Sequence, residues 1–152
     1  MSETEEVCAE CGARHAEGGS CQEDFYQMLA WEADNPAYGA EVHHLMVLCY
    51  HLQHPALYSP EGLDVARQLL IDFLVEGVST QEARRRNRVA VSSSNRKWKI
   101  IGTPERYGTY HGAVPWSITA ADVVAGGESN YCDNVRSWAK SVHEALMASG
   151  NL

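Results

Sequence analysis

The chain has 152 residues, of which 45% are apolar and 21% are charged. This length fits one compact domain that folds without a disulfide framework, so we expect a single domain over residues 1–152. The apolar run Leu45–Tyr50 is far shorter than the ~20 residues that span a bilayer, which argues against a membrane helix. The acidic start, Met1–Glu6, is unlike a secretory signal and predicts a cytoplasmic protein. A net charge of −8 disfavours general coating of nucleic acid.

The N-terminal segment, residues 1–21, is rich in glutamate, glycine and alanine and shows no hydrophobic period. Such a segment cannot form a core alone, so it must be fastened to the rest or remain a tail. It holds three of the five cysteines, namely Cys8, Cys11 and Cys21. An odd number of cysteines in a chain without a secretory signal favours metal or thiol chemistry over disulfides.

From Cys21 onward apolar residues recur at helical spacing, which predicts core helices over residues 22–91 and C-terminal helices over 117–148. Start signals support three boundaries: an N-cap at Ser59 and capping boxes at Ser79 and Thr119. The approximate predicted helices are Cys21–Asp34, Ala40–His54, Pro60–Gly77, Ser79–Val91, Thr119–Gly126 and Asn130–Ala148. The predicted fold class is therefore all-α, a helical bundle of about six helices with an N-terminal zinc-knuckle segment.

Residues 92–116 are basic and rich in glycine and proline, so we expect them to be mostly loop. Trp98–Ile101 has the composition of a short strand, but the sequence offers no partner strand.

Positive charge is concentrated in one window. Residues 84–99 contain seven basic side chains and no acidic one, whereas the rest of the chain carries 5 basic and 20 acidic side chains. A local basic window of this kind is suited to an anionic protein or small molecule, although a solvated helix face gives the same pattern. The candidate residues are Arg84, Arg85, Arg86 and Arg88. We regard nucleic acid as an unfavoured partner.

The sequence Cys8-Ala9-Glu10-Cys11-Gly12 has the form of a zinc knuckle. Two thiolates at this spacing can reach one tetrahedral ion, and the glycine permits the tight turn that aims backbone amides at sulfur. Cys21 supplies a third thiolate. A redox Cys-x-x-Cys and a tail with incidental thiols are the alternatives. A thioredoxin-like motif expects a strand before it and a helix from its first cysteine, and the sequence indicates neither, which disfavours the redox motif.

Helix geometry selects the fourth metal ligand. A short loop joins the first two helices, so they run antiparallel and Cys21 lies beside the end of the second helix, where His51 and His54 are found. His43 is eleven residues before His54, about 16 Å along a helix, and cannot share the ion. We therefore predict a zinc site of Cys8, Cys11, Cys21 and His54, with His51 as the alternative fourth ligand. A Cys3His set is normally closed and structural.

The same geometry places His43 near Glu32, at the end of the first helix. A carboxylate–imidazole pair is either a buried histidine with its partner or a candidate catalytic base.

Five motifs of the chain resemble a family of small bacterial proteins classified only as a domain of unknown function, number 5946. In sequence order they are the cysteine triplet, Val42-His43, Tyr50-x-x-Gln53-His54-Pro55, Ile118-Thr119-x-x-Asp122-Val123 and Val135-x-x-Trp138-Ala139. The resemblance implies a zinc-type site and a helical domain and implies no reaction. We interpret the chain as a zinc-binding helical accessory protein whose metal is mainly structural and whose basic patch meets an anionic partner. The alternative is a metal-dependent hydrolase or transferase that uses His43 and Glu32.

Overall fold

The computed structural model describes residues 5–90 and 99–152. Its elements in chain order are β1 (Glu6–Val7), β2 (Arg14–His15), α1 (Cys21–Asp34), α2 (Pro36–Leu52), α3 (Pro60–Leu74), α4 (Thr80–Ala90), α5 (Ala120–Ala125) and α6 (Tyr131–Ala148), with short 3-10 helices at Pro55–Leu57 and Glu128–Asn130. The helical content confirms the predicted all-α class. Among these described residues, no helix is long and apolar enough to cross a membrane.

The described part of the N-terminal segment, residues 5–21, contains a small antiparallel hairpin, which the sequence did not predict. In its register Glu6 lies opposite His15 and Val7 opposite Arg14. The turn between the strands is closed by Cys8 N–H donating to Ala13 O and Gly12 N–H donating to Cys8 O, both at 2.9 Å. Strands of two residues are too short to show an alternating pattern, so only the cysteine spacing marked this turn in advance.

One residue, Asn35, separates α1 from α2. The predicted start of α2 at Ala40 was wrong, because the helix begins at Pro36. Proline at the first helical position lacks only an N–H that would have no partner there, and its fixed φ suits the helix. The short connection makes α1 and α2 neighbours, and they pack against each other.

The chain forms two compact units. The first contains the described residues up to 53 together with residues 116–142, and within it α1 packs against both α2 and α5. Its side chains with 1% exposure or less include Met28, Val42, Met46, Leu52, Val123, Tyr131, Val135 and Trp138. This core anchors the ends of α1 and α2.

The second unit contains the described residues between 54 and 115 together with residues 143–152, and in it α3 packs against α4. Ser59 caps α3, as predicted, by accepting from Gly62 N–H at 3.0 Å. The predicted end of α3 at Gly77 was too late, since the helix ends at Leu74.

The described part of the glycine-rich loop pairs with backbone just before α3. Ser59 N–H donates to Ile100 O, and Gly102 N–H donates to Leu57 O. The expectation that Trp98–Ile101 lacks a partner was wrong for Ile101, which forms an isolated antiparallel bridge with Tyr58. Of the other residues in that segment, Trp98 lies outside the described residues, and Lys99 and Ile100 are not in a strand.

Candidate metal centre

Two of the predicted metal-ligating cysteines belong to the hairpin turn. Cys8 directly follows β1, and Cys11 lies three residues later in the turn, where it is 4% exposed. Gly12 adopts φ +78°, a left-handed conformation that glycine reaches without strain. This turn lets the N–H of Ala13 point at Cys11 Sγ, 3.5 Å away. The hairpin therefore presents both sulfurs and one amide donor to the same side.

The third cysteine, Cys21, is the first residue of α1. The helix starts here because the hydroxyl of Ser20 accepts from Glu23 N–H at 3.1 Å. Cys21 is 8% exposed, and its Sγ lies 3.5 Å from Cys11 Sγ. Two sulfurs bound to one tetrahedral zinc at about 2.3 Å would be roughly 3.8 Å apart, so the observed separation is close to that of a shared ion.

The histidine of the cluster follows α2 closely. His54 is 6% exposed and is the second residue after the helix. The preceding Gln53 is fully buried; it donates to Ile118 O at 2.7 Å and accepts from Trp138 Nε1 at 3.1 Å. These two hydrogen bonds fix the chain immediately before His54.

The structure brings together the four residues that the sequence selected. One ligand atom from each of Cys8, Cys11, Cys21 and His54 lies within 4.8 Å of the other three. Three thiols and one imidazole form a soft donor set that suits a tetrahedral ion such as zinc. The donor types, their spacing and their burial therefore fit a closed metal site.

The raised pKa values of groups in the cluster also favour a bound cation. The hydrogen bond with Cys11, followed by burial, raises the pKa of the Cys21 thiol far above its usual range. Burial, with a smaller contribution from the nearby cysteines, raises the pKa of Tyr50 to about 12. Several negative sulfurs cannot coexist in this space without a cation, so an ion that binds here displaces protons from the thiols.

His51, the alternative fourth ligand, makes different contacts. Its Nδ1 lies 2.8 Å from Val47 O on the same helix, and its ring stands edge-on to Phe25 and Tyr50. Within the described residues, the group found close enough to share an ion contains His54 and not His51.

Two contacts outside the donor set hold the hairpin in place, and sequence reasoning missed both. His15 Nε2 lies 2.8 Å from Asp24 Oδ2, joining β2 to α1 with both side chains largely buried. Trp116 Nε1 donates to Glu10 O at 3.1 Å in the cysteine turn. Neither contact has a local sequence signal, because each joins residues that only the fold brings together.

The candidate catalytic pair also meets in the structure. Nδ1 of His43 is 2.5 Å from Oε1 of Glu32, which is 8% exposed. The hydroxyl of Tyr131 donates to the other carboxylate oxygen. The tyrosine was not anticipated, since it is 99 residues away in the sequence.

The basic residues lie on α4, where acids offset part of their charge. Arg85 and Arg86 both bind Glu82, at 2.6 Å and 3.2 Å. Arg86 also lies 3.5 Å from Asp72 and from Glu76. Arg88 is exposed. The side chain of Arg84 is outside the described set.

Fold and site together define a small helical protein with a candidate Cys3His metal centre next to its N-terminal hairpin. The chain belongs to a family of unknown function (DUF5946), whose model matches residues 6–147. No curated protein and no solved structure matches the chain.

Proposed function

We propose that the protein binds one zinc ion through Cys8, Cys11, Cys21 and His54, and that this ion is structural. The observation that carries the proposal is the convergence of four soft donors within 4.8 Å of one another, three of them buried. Three thiolates and one imidazole fill all four tetrahedral positions, so no position remains for a reacting water. A closed set of this kind stabilises a fold and does no chemistry.

The stabilising role follows from where the donors lie in the chain. Two belong to a hairpin of two-residue strands, and such a hairpin is marginally stable alone. The ion would tie this hairpin to the first residue of α1 and to the residue that follows Gln53. Because the unfolded chain has no preformed site, the free energy of metal binding adds to the free energy of unfolding.

Elemental analysis of the purified, reduced protein tests the site. We expect one zinc per chain, lost in Cys8→Ser and in His54→Ala. Matched controls are Cys132→Ser and His51→Ala, which remove a thiol and an imidazole from outside the cluster and should retain zinc. Zinc that is absent from the parent protein, iron in its place, or zinc that persists in His54→Ala would contradict the assignment.

The role of the metal is tested separately by thermal unfolding. Removing zinc with a chelator should lower the melting temperature and expose the N-terminal hairpin to proteolysis, and adding zinc back should restore both. Unchanged stability and unchanged protease resistance after the metal is removed would contradict a structural role.

The second part of the proposal is an accessory function in which α4 meets an anionic partner. Support comes from the composition of the helix, which carries four arginines and the single acid Glu82 in an otherwise acidic chain. Since Arg85 and Arg86 already bind Glu82, the contribution to a partner among the described side chains of α4 rests most on the exposed Arg88.

Binding to a fluorescent polyglutamate peptide tests this surface. We expect salt-sensitive binding that the double change Arg84→Glu and Arg88→Glu abolishes, because Coulomb attraction between exposed charges is screened by salt. Lys140→Glu, an exposed charge reversal on α6, is the matched control. Equal binding by parent and double variant would contradict the proposed surface.

A further inference from the structure

Three helices of the first unit contribute to a second polar cluster. Tyr131 at the start of α6 donates its hydroxyl to Oε2 of Glu32 near the end of α1. The other carboxylate oxygen, Oε1, lies 2.5 Å from Nδ1 of His43 on α2. The cluster is therefore a linear chain of hydrogen bonds in which one carboxylate holds a phenol and an imidazole.

Burial changes steeply along this chain. Tyr131 is fully buried and the Glu32 side chain is 7% exposed, whereas the His43 side chain is 38% exposed. If the histidine served only as a hydrogen-bond partner for the buried Glu32, its ring would not need to be exposed to solvent. Here the partly exposed end is the imidazole, and Glu32 contacts its Nδ1, so Nε2 is the nitrogen left for another molecule.

The hydrogen-bond roles follow from the chemistry of the three groups. Burial, followed by the hydrogen bond to Glu32, raises the pKa of Tyr131 far above its usual range, so the phenol keeps its proton and donates. A carboxylate that accepts from the phenol also accepts from the Nδ1–H of His43. An imidazole whose single proton is on Nδ1 carries its lone pair on Nε2.

We propose that Nε2 of His43 accepts a proton from a neutral hydroxyl or thiol group, with water or a small alcohol or thiol as the ligand. Glu32 acts as the positioning residue that fixes the tautomer, and Tyr131 holds Glu32. In the transfer, the O–H or S–H bond breaks, the proton forms an N–H bond at Nε2, and the electron pair stays on oxygen or sulfur. The resulting imidazolium faces the Glu32 carboxylate, which stabilises it.

The acidic side chains around the cluster favour a neutral ligand over an anionic one. Asp34 follows Glu32 in α1, and Glu128, which accepts from Asn35 Nδ2 at 2.8 Å, precedes Tyr131. The nearby Arg136 binds Glu41 at 2.7 Å. A phosphate or carboxylate would meet this excess of acids and be repelled, whereas a neutral hydroxyl or thiol would not.

The tautomer of His43 provides a test on the unaltered, metal-bound protein. Long-range nitrogen–proton NMR distinguishes an imidazole protonated at Nδ1 from one protonated at Nε2, and the signal is assigned by its loss in His43→Gln. We expect the Nδ1–H form in the parent protein and its loss in Glu32→Gln, with helical circular dichroism unchanged. An Nε2–H form in the parent protein would overturn the proposal.

Hydrolysis of p-nitrophenyl acetate tests the proton transfer itself. Water is the neutral hydroxyl here: its oxygen attacks the acetyl carbon, p-nitrophenolate leaves, and the water proton passes to Nε2 and then to solvent. We expect His43→Gln to lower the protein-dependent rate about tenfold or more, and Glu32→Gln to lower it while zinc content is retained. His44→Gln, a change at the next residue on the same helix, is the matched control and should leave the rate unchanged.

Equal rates in folded parent and His43→Gln protein would overturn the proposal. If His43→Gln does not fold, the rate in folded Glu32→Gln decides the question, and a rate equal to that of the parent protein would overturn the proposal.

Discussion

The side-chain oxygen of Gln53 accepts a hydrogen bond from the indole Nε1 of Trp138 at 3.1 Å, and both side chains are fully buried. The amide nitrogen of Gln53 donates to Ile118 O at 2.7 Å. Both polar ends of one side chain are thus satisfied inside the core. Since His54 is the next residue, these two hydrogen bonds connect the packing of α6 with the position of a proposed zinc ligand.

Replacing Gln53 with leucine should therefore affect both stability and metal binding. The change leaves the buried Trp138 N–H and the partly buried Ile118 carbonyl without their partner, which costs on the order of 1–3 kcal/mol. We expect a lower free energy of unfolding in urea and weaker zinc retention against a chelator. Gln81→Leu, at an exposed position on α4, is the control. Equal zinc retention in the two variants would contradict the link between Gln53 and the site.

A second prediction concerns the contact between His15 and Asp24. Their 2.8 Å contact joins β2 to α1, and their side chains are only 10% and 16% exposed. His15→Ala should weaken zinc binding by roughly tenfold, because the hairpin that carries two ligands loses an attachment while all four ligands remain. Competition with a chromogenic chelator measures this.

Arg14 provides the matched control for His15. It is the neighbouring residue on β2, and its ion pair with Glu5 is exposed, so Arg14→Ala should change zinc affinity little. Identical affinities for the His15 and Arg14 variants would show that the hairpin does not depend on the contact with α1.

Local signals account for the parts of the fold that could be predicted. Ser59 begins α3 by accepting from the N–H of Gly62, and the N–H of Thr119 at the start of α5 donates to the side chain of Asp122. Each pair is three residues apart, so the residue types that form these caps can be recognised in the sequence. The choice of His54 over His43 followed from helix rise and antiparallel packing. By contrast, the hairpin lacks a periodic pattern, and Tyr131 reaches Glu32 only through the tertiary fold.

The glycine-rich loop shows a further limit of sequence patterns. A Cβ on Gly102 would lie 2.4 Å from Ala56 O, and one on Gly108 would lie 2.8 Å from Pro55 O. Glycine is required there because two backbone segments approach closely. The composition correctly predicted a loop, but it could not indicate which backbone segment the loop would pair with.

A third prediction uses the backbone conformation of Gly12, which has φ +78° and open space where a Cβ would lie. Alanine should cost about 1–2 kcal/mol through backbone strain alone. Gly77, with φ +65° and equally open surroundings, is a matched position away from the cysteines. We expect similar losses of unfolding free energy in both alanine variants and a loss of zinc affinity only in Gly12→Ala. Equal zinc affinity in both would show that the turn tolerates a different geometry.

The last prediction concerns alkaline pH and Tyr58. Burial raises the pKa of Tyr58 to about 12, compared with about 10 in an unfolded chain. Because the folded pKa is the higher one, the stabilising effect is complete below pH 10 and is lost as the pH rises from 10 to 12. Tyr58→Phe should lose less stability over this interval, by an amount on the order of 2 kcal/mol.

Urea unfolding at a series of pH values measures the difference, and Tyr107→Phe, at a position 46% exposed, is the control. Parallel stability curves for the parent and Tyr58→Phe proteins would contradict the prediction, because they would mean that the Tyr58 phenolate forms as readily in the folded chain as in the unfolded one.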